Sequence, residues 1–262
     1  MSSLLERSFK VLELLSTQPE GCPLSQISSD LQMPLSATHR LLTEMGRCGY
    51  VRQAPGHGGN YMLTIKLVAL GLGFLSTAGI VDIAQPLLDR MAQESGELVR
   101  LAVVDDAELI FVAKAQGATR GLRYDPDMGL SVPLSCSAAG HAWLSTMDED
   151  EVLLRVSRQG LGAPADFGPR APTSLKAVLA YVRKARKLGF STITEVFAPA
   201  MAAMAAPVTR IDGQTIGVVT IAGPLVRLTE ARMQELGPAL METAREVAGA
   251  SGASALFKRS RG

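Results

Sequence analysis

Apolar residues recur along this chain at spacings that switch between helical and strand-like, and the switches mark its elements. Leu5, Phe9, Leu12 and Leu15 are four and three apart, which predicts a helix over residues 4–16 with one buried stripe. Pro19-Glu20-Gly21 ends it. Ile27 and Leu31, one turn apart, predict a short helix over residues 25–31 with Ser25 as its N-cap. Gln32-Met33-Pro34 stops that helix, because Pro34 disfavours helical geometry at the residue before it and suits the first turn of the next. A second helix is expected over residues 35–47. Its inward set is Ala37, Leu41, Leu42, Met45 and Cys48, and its outward set is Ser36, His39, Arg40, Thr43 and Arg47. Beyond Gly49, Tyr50-Val51-Arg52-Gln53 and Asn60-Tyr61-Met62-Leu63 flank the turn Pro55-Gly56-His57-Gly58-Gly59, the pattern of a hairpin.

The remainder mixes both periods. Residues 64–76, TIKLVALGLGFLS, read as a helix too apolar for a free linker, with Gly71, Gly73 and Gly79 offering a pivot. A helix over residues 80–94 carries Ile83, Leu87, Leu88 and Met91 and ends at Gly96. Residues 98–104 and 109–113 flank Asp105-Asp106 as a hairpin, and residues 121–124 suggest a third strand. Helices follow over residues 137–146 and 148–157, the second opening with Asp148 and Glu151 in capping-box spacing, and over residues 174–187, basic towards its end. Strands over residues 202–209 and 215–222 join at Asp212-Gly213, and a last helix covers residues 229–250. Helices interleaved with antiparallel hairpins describe an α+β fold. The expected domains are residues 1–64, a linker helix over 65–79, a second domain over 80–252, and a basic, disordered tail over 253–262 with Lys258, Arg259 and Arg261.

At 262 residues and 47% apolar composition the chain can bury a sizeable core. It lacks an eighteen-residue apolar run and a basic-then-apolar leader, so a soluble protein with no membrane partner is expected. Three widely spaced cysteines, Cys22, Cys48 and Cys136, argue against a disulfide framework and fit a reducing cytoplasm.

Three helices followed by a hairpin make a winged helix-turn-helix, and the outward set on the second helix of the pair is of a kind that hydrogen-bonds base edges in a major groove. The DNA-binding candidates are Ser25, Ser36, Thr38, His39, Arg40, Thr43 and Arg47, with Arg52 and His57 of the hairpin near phosphates or a minor groove. Net charge qualifies this picture. The whole chain carries +1, and within residues 1–62 five basic residues (Arg7, Lys10, Arg40, Arg47, Arg52) meet five acidic ones (Glu6, Glu13, Glu20, Asp30, Glu44). A neutral reading head must concentrate its cations on one face or gain from pairing with a second copy. The apolar helix over residues 64–76 is expected to pack on its copy, since two-fold readers contact half-sites roughly 34 Å apart or a multiple of it.

Several motifs, in order and spacing, resemble the IclR (isocitrate lyase regulator) family of bacterial transcription factors over nearly the whole chain. They are Leu24-Ser25-Gln26-Ile27, Ser36-Ala37-Thr38-His39-Arg40-Leu41-Leu42, Gly49-Tyr50-Val51, the run from Val132 to Gly140 (VPLSCSAAG), Ala205-Ala206-Pro207-Val208, and Gly223-Pro224 with Arg227-Leu228-Thr229. The resemblance implies a GAF-like C-terminal effector domain, a homodimer or dimer of dimers, and operator DNA as partner. It also implies a small organic acid effector held between the sheet and residues 133–140. Matching effector-site positions are Tyr124, Val132, Ala138, Ala139, Ile193, Met201, Ala203, Thr220 and Ala222, with Cys136 and Ser137 of the same run. Amides of Ala138 and Ala139 would meet a carboxylate at a helix N-terminus. The chain departs from the family pattern at Ile193 (usually an acid), Ala203 (usually Cys), Ala222 (usually Ser) and His141 (usually Lys). Those losses, beside Tyr124 and Trp143, point to an effector with an apolar or aromatic body and one anionic end, because burying unpaired polar groups costs roughly 1 to 3 kcal/mol each. An allosteric coupling of effector to DNA follows, through the linker helix; whether it releases or recruits DNA is open, as is a regulator with no effector.

Two other chemistries are weaker. Cys136, Ser137 and His141 invite an enzyme, yet no G-x-S-x-G elbow or obvious Asp partner accompanies them. A metal sensor built on His39, His57 or His141 with cysteines has no pair at ligand spacing. No cofactor and no metal are expected.

Overall fold

The chain divides into two units, Met1–Leu75 and Ser76–Gly262; a computed structural model describes residues 3–55, 59–78, 80–126 and 131–250. In the first unit α1 (Leu4–Ser16) starts at Ser3, whose hydroxyl accepts the Glu6 N–H at 3.1 Å. Only Val11 and Leu15 of this helix are fully buried. The expected single stripe is therefore corrected: Leu5 and Phe9 are 64% and 54% exposed, with Leu4 beside them, so α1 carries a second apolar face outside the core.

Helices α2 (Leu24–Asp30) and α3 (Leu35–Arg47) are the expected pair. The N-cap of α2 is Pro23, with no side-chain cap, so Ser25 lies inside the first turn and not at the cap. Ile27, Leu41, Leu42 and Met45 join Val11 and Leu15 in the core, whereas Cys48, expected inward, is exposed at the end of α3. Strands β1 (Val51–Gln53) and β2 (Tyr61–Leu63) pair antiparallel, with Arg52 opposite Met62. Cys22 adds a bridge to Tyr61, at 2.8 and 2.9 Å, giving the hairpin a third edge that periodicity did not reveal. Gly21 makes that approach possible: its φ is +78°, and a β-carbon there would lie 2.8 Å from the Tyr61 carbonyl oxygen. Helix α4 (Lys66–Ala78) follows, with Lys66 Nζ donating to the Cys48 carbonyl at 2.7 Å over the Tyr50 ring.

The second unit opens with α5 (Ile80–Ser95) and then β3 (Leu98–Asp105) and β4 (Glu108–Gln116). Within α5 the fully buried residues include Ala84, Leu88, Met91 and Ala92, with Ile83 and Leu87 only half-buried. Short α6 (Ala138–Leu144), α7 (Glu149–Gln159) and α8 (Leu175–Leu188) precede β5 (Ser191–Thr194), β6 (Met201–Thr209), β7 (Thr215–Pro224) and α9 (Glu230–Ala250). The five strands form one antiparallel sheet in the order β4-β3-β7-β6-β5. β3 and β7 are buried almost without interruption, which requires cover on both faces. Helices α5 and α9 pack together and against the sheet, while α6 packs against β5, β6, β7 and α8. Residues 121–124 are not a strand; the neighbour of β3 on its inner side is β7. β5, four residues long, was not foreseen.

Asp148 caps α7 as its spacing suggests, and Ser174 caps α8. The reciprocal half of the capping box is missing, since the Glu151 carboxylate binds Arg155 Nε at 2.6 Å. Gly223 lets Glu97 fold against β7, where a β-carbon would lie 2.3 Å from Glu97 Oε2. Buried Glu97 takes Arg227 bidentately at 2.6 and 2.8 Å, and Arg227 also donates to the Leu122 carbonyl at 2.9 Å. The Gly223 and Arg227 motif thus pins the segment that carries Tyr124. Gly79, His57 and the tail over residues 253–262 lie outside the described residues. No described helix is long and apolar enough to cross a membrane.

His141 sits in the core of this unit, fully buried and stacked on Tyr181 at 4.8 Å. Its Nε2 lies 2.7 Å from the Ser135 carbonyl and therefore carries the proton, while Nδ1 has no partner. Burial holds its pKa down at about 4, against an ordinary 6.5, with the Ser135 bond opposing. Between those values the unfolded chain binds a proton that the folded chain refuses, so stability is kept above pH 6.5 and lost as the pH falls towards 4. Urea unfolding at pH 7 and pH 5 is expected to differ by about 2 kcal/mol from this group alone. His141→Gln, which keeps a donor for Ser135, is expected to remove that part of the difference.

Candidate functional sites

The outer face of α3 presents Ser36, His39, Arg40, Thr43 and Arg47 to solvent. Thr38 does not belong with them. It is wholly buried, and its hydroxyl donates to the Pro34 carbonyl at 3.1 Å, so its role is to fix the start of the helix. Thr43 donates to the His39 carbonyl at 2.8 Å, which leaves its oxygen free only as an acceptor. Arg47 is held by Glu44 at 3.1 Å on the surface, a pairing weak enough for a phosphate to displace. Arg40 makes no ion pair among the described residues. Ser25 is exposed on α2 and Arg52 on β1, so helix and hairpin offer donors on the same small unit.

In the second unit, a cavity of about 160 Å³ lies between the sheet and the segment leading into α6. Strand pairing builds its floor. Ile193, Ala203 and Ala222 stand opposite one another across β5, β6 and β7, and Thr220 stands opposite Arg100. Val132, Ser137, Ala138 and Ala139 form a wall, with Met201 and Tyr124 at other sides. Of the effector-site candidates only Cys136 is absent from the lining; it is buried in the core beyond the wall. Trp143 is also in that core, under the Arg155 guanidinium at 4.8 Å, and not beside Tyr124.

The wall exists because α6 approaches the preceding turn closely. A β-carbon on Gly140 would lie 2.6 Å from the Leu134 backbone. Ser137, the N-cap of α6, accepts the Gly140 N–H at 2.9 Å and donates to the Pro133 carbonyl at 2.5 Å. Its hydroxyl is therefore spent on structure. Gln159 clamps the turn from α7, accepting from Leu134 N–H and donating to the Val132 carbonyl.

Periodicity and resemblance both missed the strongest polar group in the lining. Arg100, 9% exposed, projects from β3 with its guanidinium 3.7 Å from the Phe111 ring centre. Its Nε has no hydrogen-bond partner, and Arg100 makes no ion pair among the described residues. Burial lowers its pKa, with the more distant Tyr124 and Asp125 opposing, though a guanidinium stays charged in any protein. A signal was present: an arginine in the apolar run Leu98-Val99-Arg100-Leu101-Ala102-Val103, at a position facing the same side as Ala102. Phe111, Pro126, Ser131, Pro133, Phe197 and Ala202 complete the lining. Burial raises the Tyr124 pKa, so that phenol is neutral at physiological pH.

The catalytic alternative does not assemble. Burial pushes the Cys136 thiol up to about 11, leaving it protonated, and His141 bonds Ser135 instead of Cys136 or Ser137. Among the described residues no group of three or more His, Cys, Asp and Glu side chains gathers at metal-binding distance.

Comparison with known proteins agrees with this architecture. Residues 4–55 match the IclR helix-turn-helix domain, and residues 72–249 match the bacterial transcriptional regulator IclR C-terminal domain. The chain is 32% identical over 245 residues to the transcriptional repressor IclR of Escherichia coli (strain K12), covering 93% of this chain and 88% of that protein. It is 31% identical over 247 residues to the DNA-binding transcriptional repressor YiaJ of the same organism, covering 94% and 86%. Among solved structures, an IclR transcriptional regulator from Alicyclobacillus acidocaldarius superposes with a TM-score of 0.81 at 22% identity, covering 96% of this chain and 100% of that one. An IclR homolog from Microbacterium hydrocarbonoxydans, complexed with 4-hydroxybenzoate, gives 0.79 at 22% identity over 96% and 100%. The chain belongs to the IclR family of bacterial DNA-binding transcriptional regulators.

Proposed function

We propose that this regulator responds to a small organic acid with an apolar or aromatic body, bound in the cavity above β3, β6 and β7, and that it governs genes for the breakdown of such an acid. The observation that carries the reading is the cavity's chemistry: alanines, Ile193, Val132, Met201 and two phenylalanines surround a single cationic group. Its size supports one ring, since a dry cavity of about 150 Å³ in another protein takes up benzene. The Microbacterium relative's 4-hydroxybenzoate complex supports the same ligand class. Ile193, Ala203 and Ala222 supply no hydrogen bonds, so a compact keto acid would leave its polar groups unpaired, at about 1 to 3 kcal/mol each. The curated relatives are named repressors, which favours effector-driven release of DNA.

A second copy of the chain is part of this reading. Ile65, Leu67, Val68, Leu70 and Leu72 on and before α4 are exposed in the single chain, too large an apolar surface to leave in water. Pairing of two such helices would set the spacing of two α3 helices, and an effector that prefers one arrangement shifts the equilibrium only by its differential affinity.

Three outcomes are expected. Benzoate and 4-hydroxybenzoate raise the melting temperature and change the affinity for the DNA preceding its own gene, whereas pyruvate and glyoxylate do neither; the reverse ranking refutes the ligand class. Arg40→Ala at fixed salt costs about 1 to 3 kcal/mol and relaxes sequence preference at one position, while a uniform loss over all sequences would make Arg40 a phosphate contact. Leu72→Glu lowers the oligomeric state seen in light scattering or weakens operator binding with the monomer fold intact; a variant equal to wild type in both removes α4 from the interface.

A further inference from the structure

We infer that Arg100 is the anion anchor of the cavity and selects a monocarboxylate over neutral ligands and over dianions. This rests on the effector reading above, that the cavity takes a small acid, and adds which group holds its charge.

Among the side chains of the lining, which include the exposed Ser131, only Arg100 is charged. Ser137 spends its hydroxyl on Pro133 and Gly140. Thr220 leans on the Arg100 carbonyl at 3.5 Å. Tyr124 stays neutral. Lys114 and Arg123, the nearby cations, are turned to Asp125 at 2.7 and 3.6 Å and do not line the cavity. Arg100 alone combines full charge, burial, a place in the lining and an unpartnered Nε.

The contact with Phe111 adds geometry to charge. A guanidinium whose central carbon sits 3.7 Å from a ring centre is held by that ring, and its fork of donors can make two parallel bonds to one carboxylate. An ammonium would not offer that fork. One cation in an apolar surround also sets the ligand's charge: a single carboxylate neutralises it, whereas a phosphate or second carboxylate would bring an unpaired charge into the cavity. The first-turn amides of Ala138 and Ala139 are uncharged donors at the same cavity, so the ligand's charge is matched by Arg100.

Calorimetry on the full-length chain with benzoate, benzamide and phthalate tests this. Wild type is expected to bind benzoate at least about tenfold tighter than benzamide or phthalate. Arg100→Gln is expected to weaken benzoate by about 10- to 100-fold and to leave benzamide within about twofold. Arg100→Met separates a ligand anchor from a structural cation. Removing an unpaired buried charge is expected to raise the melting temperature of the ligand-free protein while abolishing its benzoate response. Unchanged benzoate affinity in Arg100→Gln, equal binding of benzoate and benzamide by wild type, or a lower melting temperature in Arg100→Met overturns the anchor and leaves the effector reading standing. If wild type binds none of benzoate, 4-hydroxybenzoate and benzamide, the effector reading falls and the anchor with it.

Discussion

Helix α6 lies nearer to the Leu134 backbone than a β-carbon at Gly140 would allow, and the second unit is assembled on that approach. Ser137 closes the first turn, Gln159 grips the preceding residues from α7, and Ser191 of β5 donates to the Ala138 carbonyl at 2.6 Å. From the far end Arg186 of α8 donates to the Ser145 carbonyl at 3.1 Å. Elements α7, β5 and α8 thus hold one short helix and its entry turn against the sheet. Because Ala138, Ala139, Ala203 and Ala222 carry only methyl groups, the clamped layers leave a void between them. The cavity is a consequence of rigid edges and small side chains in the middle.

Such a void normally costs stability, since its lining forgoes dispersion contacts. Placing a charge there costs more. Arg100 is tolerated through its contact with the Phe111 ring and the long-range pull of Asp125, which does not match a bonded carboxylate. A protein selected only for stability would fill this space with leucine. Keeping both the void and the cation fits a site whose ligand restores the missing contacts, the usual trade between stability and function.

Much of this was legible beforehand, and the misses share a cause. Period and turn chemistry located the helix pair, the hairpin, α7 with its cap, α8, and the β6–β7 hairpin, because each is decided within a few residues. Thr38 and Cys48 were misassigned because the face of a helix is fixed by what crosses it: α3 turned so that Thr38 points into the protein and Cys48 out of it. Ser25 has the chemistry of a cap but lies two residues past it, inside the first turn. β5 was hidden because four residues carry too little alternation, and residues 121–124 misled because apolar and polar residues alternate in a segment pinned by side chains such as Arg227 instead of by a strand. Arg100 is not among the positions that match the family's effector site, and its signal in the sequence is a charge inside an apolar strand.

Charge in the first unit constrains how the protein reads DNA. Of the basic residues in its first 62 positions, Lys10 is paired with Glu6 and Arg47 with Glu44 on the surface. Arg40 and Arg52 stand on helix and hairpin with no ion pair among the described residues. Few phosphates can then be neutralised per copy, so a single unit is expected to gain little from counterion release. Linking two units makes the second contact intramolecular and raises affinity without any new cation. That gain exists only while the two recognition helices match the half-site spacing. A weakly charged reading head therefore depends on geometry more than a strongly basic one would. In the proposed pair, occupancy would respond to small changes in how two copies pack, which is the property a ligand-controlled regulator needs.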